Sequence, residues 1–189
     1  MIKILGIDPS QKNLGLVKAQ FAPQDGTLVI IDMKLVSTEK GSDTKQVRKS
    51  SDNLRRAQEQ AAVLRDWEKW SDIVMSEIPH GSQSASAMFS YGVCIGLLAW
   101  ISRPLIQISA TETKKAAVGR STATKREMIE WAAGLYPSAN WLRARGNANG
   151  HIIEHNEHLA GAIGVIHAGL KTAEFRSALS MLRTLRVAA

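Results

Sequence analysis

With 189 residues, 44% of them hydrophobic, and no Gly/Ser-rich or Pro-rich linker, the chain suits one globular domain with a sizeable core. A single cysteine, Cys94, excludes an internal disulfide framework and any zinc site built on cysteines, and it fits a reducing cytoplasm. Net charge is +7 with a pI near 9.8, a balance that favours a polyanionic partner. The longest apolar run, Val93 to Ile101, is broken by Gly96 and bounded by Ser90 and Arg103, so no membrane span is expected. The first strand is expected to begin at residue 2, so no signal peptide is expected before it.

In chain order, Ile2, Ile4, Leu5 and Ile7 predict a short buried strand with Asp8 at its C-terminal end, where Pro9-Ser10 turns the chain polar. Leu14 to Phe21 and the β-branched run Leu28 to Val36 follow, with Asp25-Gly26 between them as a hairpin turn signal. These three strands are expected to form an antiparallel meander. Ser37 to Ser51 is polar and basic and is expected to be a mobile loop. Leu54, Ala57, Ala61 and Leu64 then recur at helical spacing, predicting an amphipathic helix to about Trp70 whose outer face carries Arg55 and Arg56.

Asp72 to Ile78 predicts a second buried strand that again ends in a carboxylate, Glu77, before Pro79-His80-Gly81 breaks it. Ser82 to Ile101 predicts a helix whose small residues Ser84, Ala85, Ala87, Gly92 and Gly96 permit close approach of another backbone. Leu105 to Ile108 gives a fifth short strand, and the rest is helical: Glu112 to Val118, Thr124 to Tyr136, Ile153 to Leu170, and about residues 173–187. One side of that last helix carries Phe175, Leu179, Leu182 and Leu185, which could pack on this domain or on a second copy.

The basic excess is clustered. Lys45, Arg48, Lys49, Arg55 and Arg56 face one acid, Asp52, and Lys114, Lys115, Arg120, Lys125 and Arg126 face none between Thr113 and Arg126. Patches of one sign favour nucleic acid, the plain alternative being a solvated surface. An ionised Asp at a buried strand end caps a turn, pairs with a base or holds a metal. What favours a metal is the set: Asp8 and Glu77 at two strand ends, with Glu154 and Glu157 three residues apart at the start of a late packed helix. On its own, that last pair would be explained by the helix dipole. Four hard oxygen ligands suit Mg²⁺ or Mn²⁺, and two such ions about 4 Å apart can clamp both oxygens of a phosphodiester displacement. The histidines His151, His155 and His158 crowd the acid pair without a zinc spacing, and His167 lies on an apolar face as a core histidine would.

These residues resemble the RuvC-type Holliday-junction resolvases of the ribonuclease H-like superfamily over nearly the whole chain. The resemblance runs from Ile4-Leu-Gly-Ile-Asp8-Pro-Ser through Glu77 to Lys114-Lys-Ala-Ala-Val-Gly119-Arg-Ser-Thr-Ala-Thr-Lys125 and Glu154-His-Asn-Glu157-His-Leu-Ala-Gly-Ala. It implies an α/β ribonuclease H-like fold, with a five-stranded mixed sheet flanked by helices on both faces. It implies a homodimeric, Mg²⁺-dependent endonuclease, with Mn²⁺ able to substitute, that resolves branched DNA by paired symmetric nicks in a bacterial or phage-infected cell. Asp8, Glu77, Glu154 and Glu157 would be the metal ligands, and Lys114 and Lys125 would lie beside the scissile phosphate. His80, Lys45, Arg48, Lys49, Arg55, Arg56, Lys115, Arg120 and Arg126 are the expected DNA contacts.

Two departures stand out. Both terminal acids are Glu where the family has an Asp or His followed three residues later by Asp, and His80 stands where better-known cellular members carry Phe. Such divergence points to a viral or mobile-element member. The competing expectations are a looser flap or fork nuclease, a branched-DNA binding module without catalysis, and an actin-like phosphotransferase. The last needs two such domains, for which the chain is short.

Overall fold

The structure is a computed structural model that describes residues 1–39, 48–81, 84–144 and 150–187. Its centre is β1 (Ile2–Asp8), buried along almost its whole length because it is paired on both edges and covered on both faces. On one edge β1 pairs antiparallel with β2 (Asn13–Phe21), which pairs antiparallel with β3 (Leu28–Ser37). On the other it pairs parallel with β4 (Ile73–Glu77), and β4 pairs parallel with β5 (Leu105–Ile108). The five-stranded order is β3-β2-β1-β4-β5, the mixed sheet with an antiparallel first half that the sequence predicts. Gly26 takes φ 75° in the turn before β3, the left-handed conformation that Asp-Gly signals.

One face of the sheet is covered by α1 (Lys49–Trp70) and α2 (Ala85–Leu98), where Leu64, Trp67, Leu97 and Leu98 pack on Leu5, Ile7 and Val74. The other is covered by α3 (Ala110–Val118), α4 (Lys125–Leu135), α5 (Glu157–Gly169) and α6 (Ala173–Val187). Helix α5 is buried almost all round, as its unbroken apolar run requires. It lies unusually close to the sheet: a Cβ on Gly15 would sit 2.3 Å from the His158 carbonyl oxygen, and one on Gly6 2.6 Å from that of Ala162. Helix α6 packs on its own domain, with Phe175 buried edge-to-face against Phe21 at 5.4 Å between ring centroids.

Several boundaries differ from expectation, three of them near the site or the basic stretch. Helix α1 starts at Lys49, inside the stretch expected to be a mobile loop, while residues 40–47 of that stretch lie outside the described residues. Helix α2 starts at Ala85, because the Ser84 hydroxyl accepts from the Ala87 N–H as a cap. The last core helix starts at Glu157, after a 3₁₀ turn over Glu154–Asn156. That turn is held by the fully buried Asn156, whose amide donates to the Leu142 and Ile153 carbonyls and accepts from the Leu142 N–H.

Candidate active site

Parallel pairing puts Ile7 opposite Ser76, so Asp8 and Glu77 extend from the C-terminal ends of adjacent strands. This is the end of a sheet where α/β folds place ligands. Burial, and then the nearby charge of Asp8, push the Glu77 carboxyl up to about 7. The Lys114 ammonium and a hydrogen bond from Thr113, both on α3, oppose that rise. Cys94 on α2 is also buried within the field of Asp8, and burial lifts its thiol to about 11, which keeps it protonated and inert.

The turn that follows Asp8 is fixed from behind. Gln60 donates to the Ser10 and Gln11 carbonyls at 2.8 and 3.2 Å, and Ser90 donates to the Gln11 side chain at 2.8 Å. Arg56 donates to the Thr38 hydroxyl at 3.0 Å and to the Gln11 carbonyl at 3.2 Å. Arg56 is 6% exposed, which corrects its expected place on the outer face of α1: the turn's carbonyls need donors, and a buried guanidinium supplies them.

From α5 two side chains reach the strand ends. His158 Nδ1 is 3.3 Å from Asp8 Oδ2 and His158 Nε2 is 3.5 Å from Glu157 Oε1, so the imidazole bridges two carboxylates. Its Nδ1 is buried, and its contact with Asp8 is off the line of a full hydrogen bond. Burial lowers the His158 pKa, yet Asp8 and Glu157 outweigh burial and the net shift is upward. Lys125 Nζ, at the first residue of α4, meets Glu157 Oε2 at 2.6 Å. The Thr124 and Glu127 capping box that starts α4 sets this lysine in place. One turn beyond His158, the α5 backbone passes the Asp8 carboxylate at Gly161, where a Cβ would lie 2.2 Å from Oδ2.

Asp8, Glu77, Glu157, Lys114 and Lys125 are thus gathered at one end of the sheet. Glu154 is exposed in the 3₁₀ turn, on the rim of a cleft of about 1190 Å³ that Lys12, Lys125, Arg126, His155 and Glu157 also line. His158, named from the sequence only as crowding the acid pair without a zinc spacing, lies between two of the predicted acids, Asp8 and Glu157. Its signal was adjacency to Glu157 on a helix packed over the Asp8 strand. His167 behaves as a core histidine, bonded to the Tyr136 hydroxyl at 2.8 Å and lowered by burial to about 4.

Of the expected DNA contacts, His80, Arg48 and Lys115 are exposed, and Lys49 opens α1. Arg55 is paired with Asp52 and Glu59, Arg120 with Glu127, and Arg126 with Glu130. Exposed ion pairs contribute about 0.2–1 kcal/mol, so a phosphate can compete for these cations. Lys45 lies outside the described residues.

No protein-family model matches the chain, and no curated protein matches it by sequence. Solved structures do. RuvC of Thermus thermophilus superposes with a TM-score of 0.58 at 17% identity, over 88% of this chain and 92% of that one. The chain has the RuvC fold. Thermus thermophilus RuvC in complex with a Holliday junction substrate gives 0.59 at 17% identity, over 89% and 92% of the two chains. The fowlpox virus resolvase in complex with Holliday junction DNA gives 0.52 at 14% identity, over 96% and 99%. The RuvC fold is the ribonuclease H-like α/β arrangement that the sequence implies.

Whether the residues fit a metal is decided by charge and donor type. Asp8, Glu77 and Glu157 offer hard oxygens and His158 a nitrogen, a set suited to a divalent cation. The Glu77 carboxyl is raised first by burial and then by the charge of Asp8, and a bound cation would offset the second of these. Among the described residues, no three His, Cys, Asp or Glu side chains already stand as a formed metal site. The donors fit the ion, and the site is not preassembled.

Proposed function

We propose that the chain is a divalent-metal-dependent, structure-selective endodeoxyribonuclease that resolves four-way DNA junctions by paired, symmetric nicks. The observation that carries this is the convergence of Asp8 and Glu77 at neighbouring strand ends with Glu157 and His158 from α5, flanked by Lys114 and Lys125. It is supported by the RuvC fold, since the Thermus and fowlpox proteins of that fold are described with Holliday junction DNA.

Asp8, Glu77 and Glu157, with His158 beside them and Glu154 on the rim, would hold Mg²⁺ or Mn²⁺. When bound, such ions supply a water nucleophile at neutral pH and charge stabilisation for the phosphodiester displacement. The chain's own part is to position. The Arg56 and Gln60 bonds fix the turn that carries Asp8, and His158 spaces Asp8 from Glu157. Lys125 and Lys114 would bring ammonium groups to the phosphate as its charge grows. The cleft beside Glu157, with Lys12, Arg126 and His155, would guide the strand away from the site.

Two equivalent nicks call for two copies, and α2 offers the surface. Met88, Phe89 and Ile95 are exposed, as is Trp100 at 75%, beside an apolar groove of about 300 Å³ between α1 and α2. A two-fold dimer would bury this face. The cytoplasm of a bacterial or phage-infected cell is the setting proposed.

The test is a labelled synthetic four-way junction incubated with and without Mg²⁺ or Mn²⁺. Symmetric nicks in opposed strands, only with metal, are expected, and equal cutting of flaps and forks would move the assignment to a broader nuclease. A second possibility, branched-DNA binding without cleavage, is favoured by one observation: the α5 position facing the Asp8 carboxylate, Gly161, adds no carboxylate of its own. Tight junction binding with no nicks in either metal would select it.

A further inference from the structure

Glu157 is engaged on both of its oxygens. Oε2 meets Lys125 Nζ at 2.6 Å and Oε1 faces His158 Nε2 at 3.5 Å. Lys125 is itself the odd partner. Its side chain is 80% exposed and lines the cleft, placed to meet a phosphate, whereas Glu157 is only 23% exposed and belongs to the acid cluster. One contact therefore occupies both a phosphate-binding cation and a metal-binding anion, and in the same structure no metal site is preassembled among the described residues.

We infer that the Lys125–Glu157 ion pair is a latch that biases the metal centre against loading until DNA arrives. This rests on the metal-dependent nuclease proposed above and deepens it. A backbone phosphate entering the cleft competes for the Lys125 ammonium, which frees Glu157 to turn toward Asp8 and Glu77. DNA and metal then favour each other's binding through one shared side chain. Reciprocity is required: if DNA tightens the metal, the metal tightens DNA by the same factor. The pair is exposed on the lysine side, so the coupling is modest. Breaking it is worth roughly a two- to fivefold change in metal affinity. That suffices to discourage metal loading, and stray hydrolysis, away from substrate.

The experiment measures Mn²⁺ affinity by the paramagnetic resonance signal of the unbound ion. It compares the free protein with its complex with a four-way junction of phosphorothioate linkages, which keep their charge and resist cutting. In the free protein Lys125→Met is expected to bind Mn²⁺ roughly two- to fivefold tighter than the parent, and the junction's further gain to shrink. Lys115→Met, which removes an equal charge from an exposed position on α3, is the control and should leave the free-protein affinity near the parent's. Unchanged or weaker affinity in Lys125→Met overturns the latch, as does an equal gain in Lys115→Met, which would mark a general field effect. If Asp8→Asn leaves Mn²⁺ affinity unchanged, the metal centre itself is wrong and the latch falls with it. If Asp8→Asn abolishes binding while Lys125→Met changes nothing, only the latch falls.

Discussion

Gly161→Ala puts one methyl group against Asp8, at the centre proposed to be the active site. The new Cβ would lie 2.2 Å from Asp8 Oδ2 and 3.0 Å from its Cγ, so the carboxylate tip must retreat by about 1 Å to reach ordinary contact. Only the end of a side chain has to move, so the fold should survive with a loss of about 1 kcal/mol, the low end of overpacking costs. Activity should not survive as well, because misplacing a catalytic group by about 1 Å costs on the order of 100-fold. The contrast is Gly15→Ala, whose Cβ would meet the His158 backbone oxygen at 2.3 Å and carbon at 2.6 Å. Backbone cannot step aside, so that variant should melt far earlier or fail to fold. Nicking rate on a labelled junction, gel-shift affinity and thermal melting together separate these effects. A Gly161→Ala protein that binds, melts and nicks like the parent would refute the placement of Asp8 in the chemistry.

Glu157→Gln should lower the nicking rate by roughly 100-fold or more, since a metal ligand supports several kcal/mol of barrier lowering, while the exposed Glu154→Gln should cost far less. Equal rates in single-turnover assays of the two variants would remove the special role given to Glu157. For Glu77, the fold holds the carboxyl proton more tightly than the unfolded chain does, with a pKa raised to about 7 from 4.5. The stability of the neutral form is therefore complete below 4.5 and is lost as pH rises through about 7. In chelator, Glu77→Gln should melt higher than the parent at pH 8, with the difference fading at pH 5, and a pH-independent difference would contradict this. Arg56→Ala should lower the melting temperature without changing the salt slope of junction binding, because Arg56 bonds the turn at Gln11. Arg48→Ala, at an exposed position, should instead reduce the log–log salt slope by about one without loss of stability.

The sequence by itself determined the strands and most of the helices, because each carries its own period and its own punctuation. Ile2 to Ile7 ends in Asp8-Pro9-Ser10, and Asp25-Gly26 turns β2 into β3. It also marked Asp8 and Glu77, acids that close apolar runs and are costly there unless capped, paired or bound to a metal, and the pair Glu154 and Glu157 at the start of a packed helix. Tertiary structure decided the rest, through distances that sequence spacing does not encode. Arg55 and Arg56 are neighbours on an amphipathic helix, yet the turn after Asp8 buries one and leaves the other in surface ion pairs. Glu154 and Glu157 are three residues apart, yet Asn156 tightens the chain between them into a 3₁₀ turn, so only Glu157 enters the cluster. His158 became part of the site because glycines at 6, 15 and 161 let α5 settle onto β1 and β2. A close approach of that kind is a property of two surfaces, and no single stretch of sequence contains both.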